Sequence, residues 1–194
     1  MIRTSTSDLY KQRKLSLPLS QSPHHHDHDH DADGRCQPRL NPSSLTDYCH
    51  YGIRFRFPST WELSEETSSD ETTISIQSDG TSFWTIVLFK SRPDPDAVLD
   101  AVVAAFEQDY EEVDVLTAVS SLCGLPSLGR DVDFVCYDLL NSATLRAFQT
   151  SNQTVLVIFQ GTDHELETTR TQLESISSSL ECDDEDDKWI DDDE

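Results

Sequence analysis

The feature that most restricts what this chain can fold into is a pair of short apolar runs, Phe83–Phe89 and Val155–Phe159. Both have the length of a strand, and neither alternates with polar residues. An alternating strand can leave one face in water, whereas an unbroken one needs cover on both. The neighbouring segments do alternate. Ile53, Phe55 and Phe57 are separated by Arg54 and Arg56, Trp61-Glu62-Leu63 resumes the pattern after Pro58-Ser59, and Ile74 and Ile76 repeat it. These read as strands with one buried face. Residues 64–71, acidic and rich in Ser and Thr, read as a loop. Ser78-Asp79-Gly80-Thr81 is a hairpin signal, with Gly80 free to take a positive φ.

The period then changes. Val98, Leu99, Val102, Val103, Phe106 and Tyr110 fall at helical spacing. Asp94 can cap, Pro95 suits the first turn and Asp96 complements the dipole, so a helix is expected over about 95–111. Val113, Val115 and Ala118 follow as a short edge strand, and Gly124–Gly129 as a loop. Val132, Phe134 and Cys136 share one face of a strand, Cys136 serving as a small core residue. Asp131, Asp133, Val135 and Tyr137 take the opposite face. A turn is expected near Asn141-Ser142, then a strand through Leu145 and Ala147, then a turn at Ser151-Asn152-Gln153. Thr162 and Glu165 have capping-box spacing. Leu166, Leu173, Ile176 and Leu180 mark one stripe of a closing helix. Strands joined by such short turns pair antiparallel. The expected fold is therefore α+β: a mainly antiparallel sheet with helices packed on its faces.

The segment Tyr51-Gly52-Ile53-Arg54-Phe55-Arg56-Phe57-Pro58-Ser59-Thr60-Trp61 resembles the opening strand of PsbP/Mog-like domains, including their DcrB-type bacterial relatives. Gly52, Phe55, Phe57, Pro58 and Trp61 fit that opening. Leu122-Cys123-Gly124-Leu125-Pro126 fits the mid-domain loop, and Glu165–Leu180 fits the last helix. The resemblance covers about residues 50–181. It implies an α/β/α sandwich and a non-catalytic adaptor role, and it brings no catalytic set with it.

Charge separates the chain into three parts. Acidic residues outnumber basic ones 37 to 14, and ten of the acids fall within 181–194. The formal net charge of −23 opposes nucleic acid and anionic membrane surfaces as main partners. No apolar run approaches the ~20 residues that span a bilayer. Residues 1–47 are expected to be a disordered leader, 48–181 the folded domain, and 182–194 an acidic disordered tail, because both ends are too low in apolar side chains to offset chain entropy. Residues 1–22 also have the Arg/Lys- and Ser/Thr-rich composition of an organelle transit peptide. The cysteines Cys36, Cys49, Cys123, Cys136 and Cys182 form no CxxC pair, which reads as reduced thiols and a cytoplasmic location.

No catalytic or cofactor-binding residues are assigned. Ser127, between Gly124 and Gly129, lacks the glycine two places earlier that a nucleophile elbow needs. Cys49-His50 are mere sequence neighbours. His24-His25-His26-Asp27-His28-Asp29-His30 could bind transition metals. Asp29, Asp31, Asp33 and Gly34 match the first half of a calcium loop, but Leu40 stands where its bidentate acid belongs. The tract reads as a solvated linker, with no metal ligand assigned. In the tail, Trp189-Ile190 lies among acids, as a docking anchor or as a side chain packed back on the domain. The favoured reading is a non-catalytic, adaptor- or chaperone-like domain whose partner is another protein. Its expected mark is an exposed apolar patch or groove on an acidic surface. The alternative is a metal-handling protein using the His/Asp tract. An enzyme would need His50 or His164 gathered with acids in a pocket.

Overall fold

The computed structural model describes residues 44–182. The elements run β1 (Leu45–His50), β2 (Ile53–Pro58), β3 (Glu62–Thr67), β4 (Glu71–Gln77), β5 (Phe83–Phe89), α1 (Pro95–Asp109), β6 (Val113–Leu122), β7 (Leu125–Cys136), β8 (Leu139–Gln149), β9 (Thr154–Thr162), α2 (Asp163–Ser178) and β10 (Glu181–Cys182). They form a seven-stranded sheet, β3-β4-β5-β9-β8-β7-β6, and a three-stranded sheet, β1-β2-β10. Every pairing is antiparallel. This is the expected α+β fold. No helix among the described residues is long and apolar enough to cross a membrane.

The two apolar runs became β5 and β9, adjacent strands deep within the large sheet. Register divides their side chains between the two faces. Trp84, Ile86 and Leu88 lie with Val155, Val157 and Phe159 on one face, where they join Phe55, Phe57 and Trp61 and α2's Leu166, Leu173 and Ile176 in one buried cluster. The Phe55 ring lies 4.8 Å from that of Trp84, whose indole Nε1 donates to Ser177 Oγ at 2.8 Å. On the other face α1 packs over β7, β8 and β9. Its Phe106 meets Phe134 edge-on at 5.0 Å, and Val132, Ala143 and Leu145 are buried beside it. Arg130 donates to Asp96 and Asp100 at 2.7 and 3.1 Å, so α1's first turn is also tied to β7 by charge.

Several local expectations change. Residues 64–71 are not all loop, since β3 extends to Thr67 and the chain turns only at 68–70. All six β3 residues are exposed, Leu63 included, so the buried face read through Trp61-Glu62-Leu63 does not extend into the strand and nothing apolar announces its remainder. The expected short edge strand is an edge, but it is ten residues long. Gly124–Gly129 is not a loop. The chain reverses at Cys123-Gly124, with φ of 52° and 74°, and β7 begins at Leu125. Gly129 is glycine because Arg146 lies across it, and an added Cβ would sit 2.8 Å from that guanidinium. The turn expected at Asn141-Ser142 lies instead at Tyr137-Asp138, while Asn141 is buried within β8. Cys136 is only half-buried, and the first helix ends at Asp109. β1 was not expected: five of its six residues are exposed, and Tyr48 alone turns inward. It places the start of the first strand at Leu45, ahead of the expected domain boundary at 48.

The capping box is half formed. Thr162 Oγ1 accepts from the Glu165 amide at 3.3 Å. The Glu165 carboxylate does not reach back. It accepts from the Thr81 amide at 2.8 Å, from the Thr81 hydroxyl, and from Ser82 Oγ at 3.3 Å, tying the β4–β5 turn to α2. Gly80 is needed for that approach rather than for a positive φ, because a Cβ there would meet Glu165 Oε1 at 2.0 Å.

The hairpin turns lead to a prediction. Tyr51-Gly52, Cys123-Gly124 and Tyr137-Asp138 are all two-residue turns with both φ positive, which favours Asn-Gly. At Tyr137-Asp138 two ordinary L-residues hold that conformation, and the Tyr137 side chain is 86% exposed. Replacing the pair by Asn-Gly (Y137N with D138G) relieves left-handed strain and is expected to raise stability by about 1 kcal/mol. Urea unfolding checks this, and an unchanged or lower midpoint would contradict it.

Candidate functional site

The candidate site lies where the cover on the large sheet stops. α2 and the small sheet cover the β4–β5–β9 part of one face. Strands β7 and β8 are 12 and 11 residues long, and away from the Leu122–Leu125 end, which packs against the main core, they and β6 extend the sheet beyond that cover. A groove of about 560 Å³ results, with α2 as one wall and β6, β7, β8 and β9 as its floor. Asp131 and Asp133 of β7 and Thr144 and Arg146 of β8 line the floor, while Arg170 and Glu174 line the α2 wall. Arg146 Nη1 donates to Asp131 Oδ1 at 2.8 Å, so that guanidinium is already balanced. Ser142 Oγ donates to Asp133 at 2.6 Å and to Asp163 at 3.2 Å. The polar part of the floor is thus internally bonded, with Asp131 half-buried and Asp133 exposed, and Val157 and Phe159 of β9 add an apolar strip beside it.

Beside the groove lies the open edge of the sheet. Leu116 and Val119 of β6 are 68% and 82% exposed. The only charged residue in β6 is Asp114. The opposite edge, β3, carries Glu62, Glu65 and Glu66. Exposed edges present unpaired amides and carbonyls to any passing strand, and charges on an edge strand discourage such pairing. The β3 edge has that protection and the β6 edge largely lacks it. Register shows which β6 groups are open. In a two-residue hairpin the residues flanking the turn, here Leu122 and Leu125, exchange hydrogen bonds. Counting back by twos, Ser120, Ala118 and Leu116 point their backbone at β7. Val119, Thr117 and Val115 point theirs outward.

The residues weighed from the sequence are dispersed. His164 stands on the first turn of α2, its side chain 94% exposed and 3.7 Å from Glu167. His50 ends β1, its ring 5.5 Å from that of Tyr51. Neither lines the groove. Ser127 is buried within β7 and bonds across the ladder to Ser120 at 2.7 Å, with a strand and not a helix after it. The His/Asp tract (His24–His30 with Asp29–Asp33), residues 1–22 and Trp189 lie outside the described residues. Among the described residues no group of three or more His, Cys, Asp or Glu side chains is arranged to hold a metal ion. What sequence reasoning missed is the open backbone edge, which no side-chain motif encodes.

The shifted titratable groups have structural causes. Arg130 is raised, first by its hydrogen bond to Asp96. Glu71 is raised by burial and then by Asp70. Glu65 is held below the usual carboxylate range because Tyr51 and then Tyr48 donate hydroxyls to it, at 2.5 and 2.8 Å. Burial, followed by the same Glu65 contact, pushes the Tyr48 hydroxyl up.

With the geometry in view, comparison with solved structures gives the class of fold. The chain has the PsbP-like fold. It is similar to the solution structure of cyanobacterial PsbP from Synechocystis sp. PCC 6803, at 11% identity and a TM-score of 0.51, covering 77% of this chain and 98% of that one. It is also similar to LpqN of Mycobacterium tuberculosis, a protein involved in cell envelope biogenesis, at 12% identity and a TM-score of 0.41, covering 74% and 86%. A Bacteroides thetaiotaomicron protein matches at 14% identity and a TM-score of 0.46 over 68% of this chain, which spans only 45% of that protein's length. No family model matches the sequence, and no curated protein matches it.

The tyrosine–carboxylate contact sets an acid-side prediction. A carboxylate whose folded pKa is depressed adds stability above its unfolded pKa, near ~4.3 for Glu, and loses it as pH falls through the folded value. Glu65→Gln is therefore expected to flatten the acid limb of the melting temperature against pH below about 4.5. Parallel limbs for the two proteins would remove Glu65 from the account.

Proposed function

We propose that this chain is a non-catalytic accessory domain that binds a partner protein by accepting an extended segment of it along β6, as an added strand of the seven-stranded sheet. The observation that carries this reading is the contrast between the two sheet edges: three glutamates on β3, and on β6 exposed Leu116 and Val119 with one charge. Strand addition draws affinity from main-chain hydrogen bonds and selectivity from alternate side chains. Val119, Thr117 and Val115 offer the backbone groups. Leu116 and Val119, on opposite faces of the strand, offer apolar contacts to the partner.

The partner's chemistry follows from charge. Glu111, Glu112 and Asp114 stand at the entry to β6, and Asp133 lies opposite Asp114 on β7. With a net charge of −23 on the whole chain, a segment of alternating apolar and basic residues is attracted, while a second copy is repelled at long range. The domain is read as acting in the cytoplasm.

Thr117→Pro tests the proposal. It deletes an outward N–H while leaving the β6–β7 ladder intact, which edge positions tolerate. The probe is an array of nine-residue peptides alternating Lys or Arg with Val, Ile or Thr, read by fluorescence anisotropy. The expected result is salt-sensitive binding to the wild type, weakened at least about tenfold in T117P, with an unchanged circular dichroism spectrum. Equal binding by both proteins, or no bound peptide, would contradict it. A wild-type dimer that T117P makes monomeric would assign the edge to a second copy instead.

A further inference from the structure

Cys123 and Cys182 are 59 positions apart, yet their sulfurs lie 2.7 Å from each other. Unbonded sulfurs do not settle this close, and a disulfide needs only ~2.05 Å. Each thiol is fixed by a different element. Cys123 is the first residue of the β6–β7 turn, with φ of 52°, and its Sγ lies 3.4 Å from the Leu180 carbonyl oxygen. Cys182 belongs to β10, held to β2 by its pairing with Ile53. Both side chains are half-buried against the main core. Both also line a cavity of about 560 Å³, together with Ser121, Gly124, Ser177 and Glu181. A small reagent can therefore reach them without unfolding the domain. Among the described residues, Cys49 and Cys136 make no such sulfur contact.

We propose that Cys123 and Cys182 form a dithiol–disulfide site, oxidised by a low-molecular-weight disulfide of the glutathione type. The thiolate of one cysteine attacks a sulfur of the small disulfide, cleaving its S–S bond and expelling one small thiolate. The resulting mixed disulfide is then attacked by the second protein thiolate, forming the Cys123–Cys182 bond and expelling the other small thiolate. The protein gives up two electrons and two protons. The small disulfide takes the electrons and leaves as two thiols. The bond joins the β6–β7 turn to β10 and so anchors the small sheet and the end of α2 to the far end of β6. It closes a long loop, the case in which a crosslink most restricts the unfolded chain.

The experiment equilibrates the purified full-length chain with mixtures of reduced and oxidised glutathione. Remaining thiols are blocked, and tryptic peptides are mapped by mass without reduction. The expected product is a monomer lighter by two hydrogen atoms, with the Cys123 and Cys182 peptides joined. Its melting temperature should rise by roughly 5–15 °C and fall back on reduction. C123S and C182S should each melt like the reduced wild type and lack the rise. Mixed disulfides persisting at both positions, free thiols at both under oxidising mixtures, or a bond to Cys36, Cys49 or Cys136 would overturn the proposal. The mapping uses the wild type, so it decides the matter even if a serine variant fails to fold.

Discussion

Everything in this fold depends on covering β5 and β9 on both faces. Their side chains alternate between two buried layers, so no single partner element can satisfy them. One layer needs α1, and the other needs both α2 and the small sheet. Phe55, Phe148 and Trp84 are at most 1% exposed, and removing a side chain of this size from such a core typically costs about 3–5 kcal/mol. The closing contacts follow from that burial. Glu165 binds the β4–β5 turn, Arg130 binds α1, and Glu65 gathers two tyrosine hydroxyls from β1 and the turn after it.

The same constraint explains the open edge. The available cover is spent on the middle of the large sheet. β7 and β8 continue the sheet, and β6 ends it, its Leu122 end packed against the main core while Leu116 and Val119 stand exposed. The edge nearest the small sheet is guarded by charge, while the far edge is long and nearly uncharged. A fold of this kind can host many roles, so the fold does not assign one. Binding at β6 is proposed from that asymmetry of the two edges.

Much of the architecture was legible because its signals are periodic. The unbroken runs announced β5 and β9, and the 3.6-residue spacing with Asp94 and Pro95 announced α1, whose cap forms as expected. The Gly52, Phe55, Phe57 and Trp61 pattern also pointed to the fold: the glycine sits in a turn at φ 71° and the three aromatics are buried. The failures have physical causes. β1 is exposed but for Tyr48 and β3 is wholly exposed, so no hydrophobic alternation marks β1 or the part of β3 beyond Leu63. Tyr137-Asp138 adopts a turn that its residue types disfavour. Gly129 looked like a loop glycine but lies within β7, and Gly80 sits in the expected β4–β5 turn without a positive φ; both make room for Arg146 and Glu165, neighbours that only the tertiary fold supplies. The Cys123–Cys182 contact and the open amides of β6 are likewise properties of pairing, invisible along the chain.

The central claim is that β6 has one bonded side and one open side. Amide hydrogen exchange of the free protein, resolved residue by residue by NMR, tests it most directly. The account predicts a period of two along β6: Leu116, Ala118 and Ser120 protected by their bonds to β7, and Val115, Thr117 and Val119 exchanging far faster. Uniform protection through Val113–Leu122 would mean that the edge is already paired or covered, and would contradict the account.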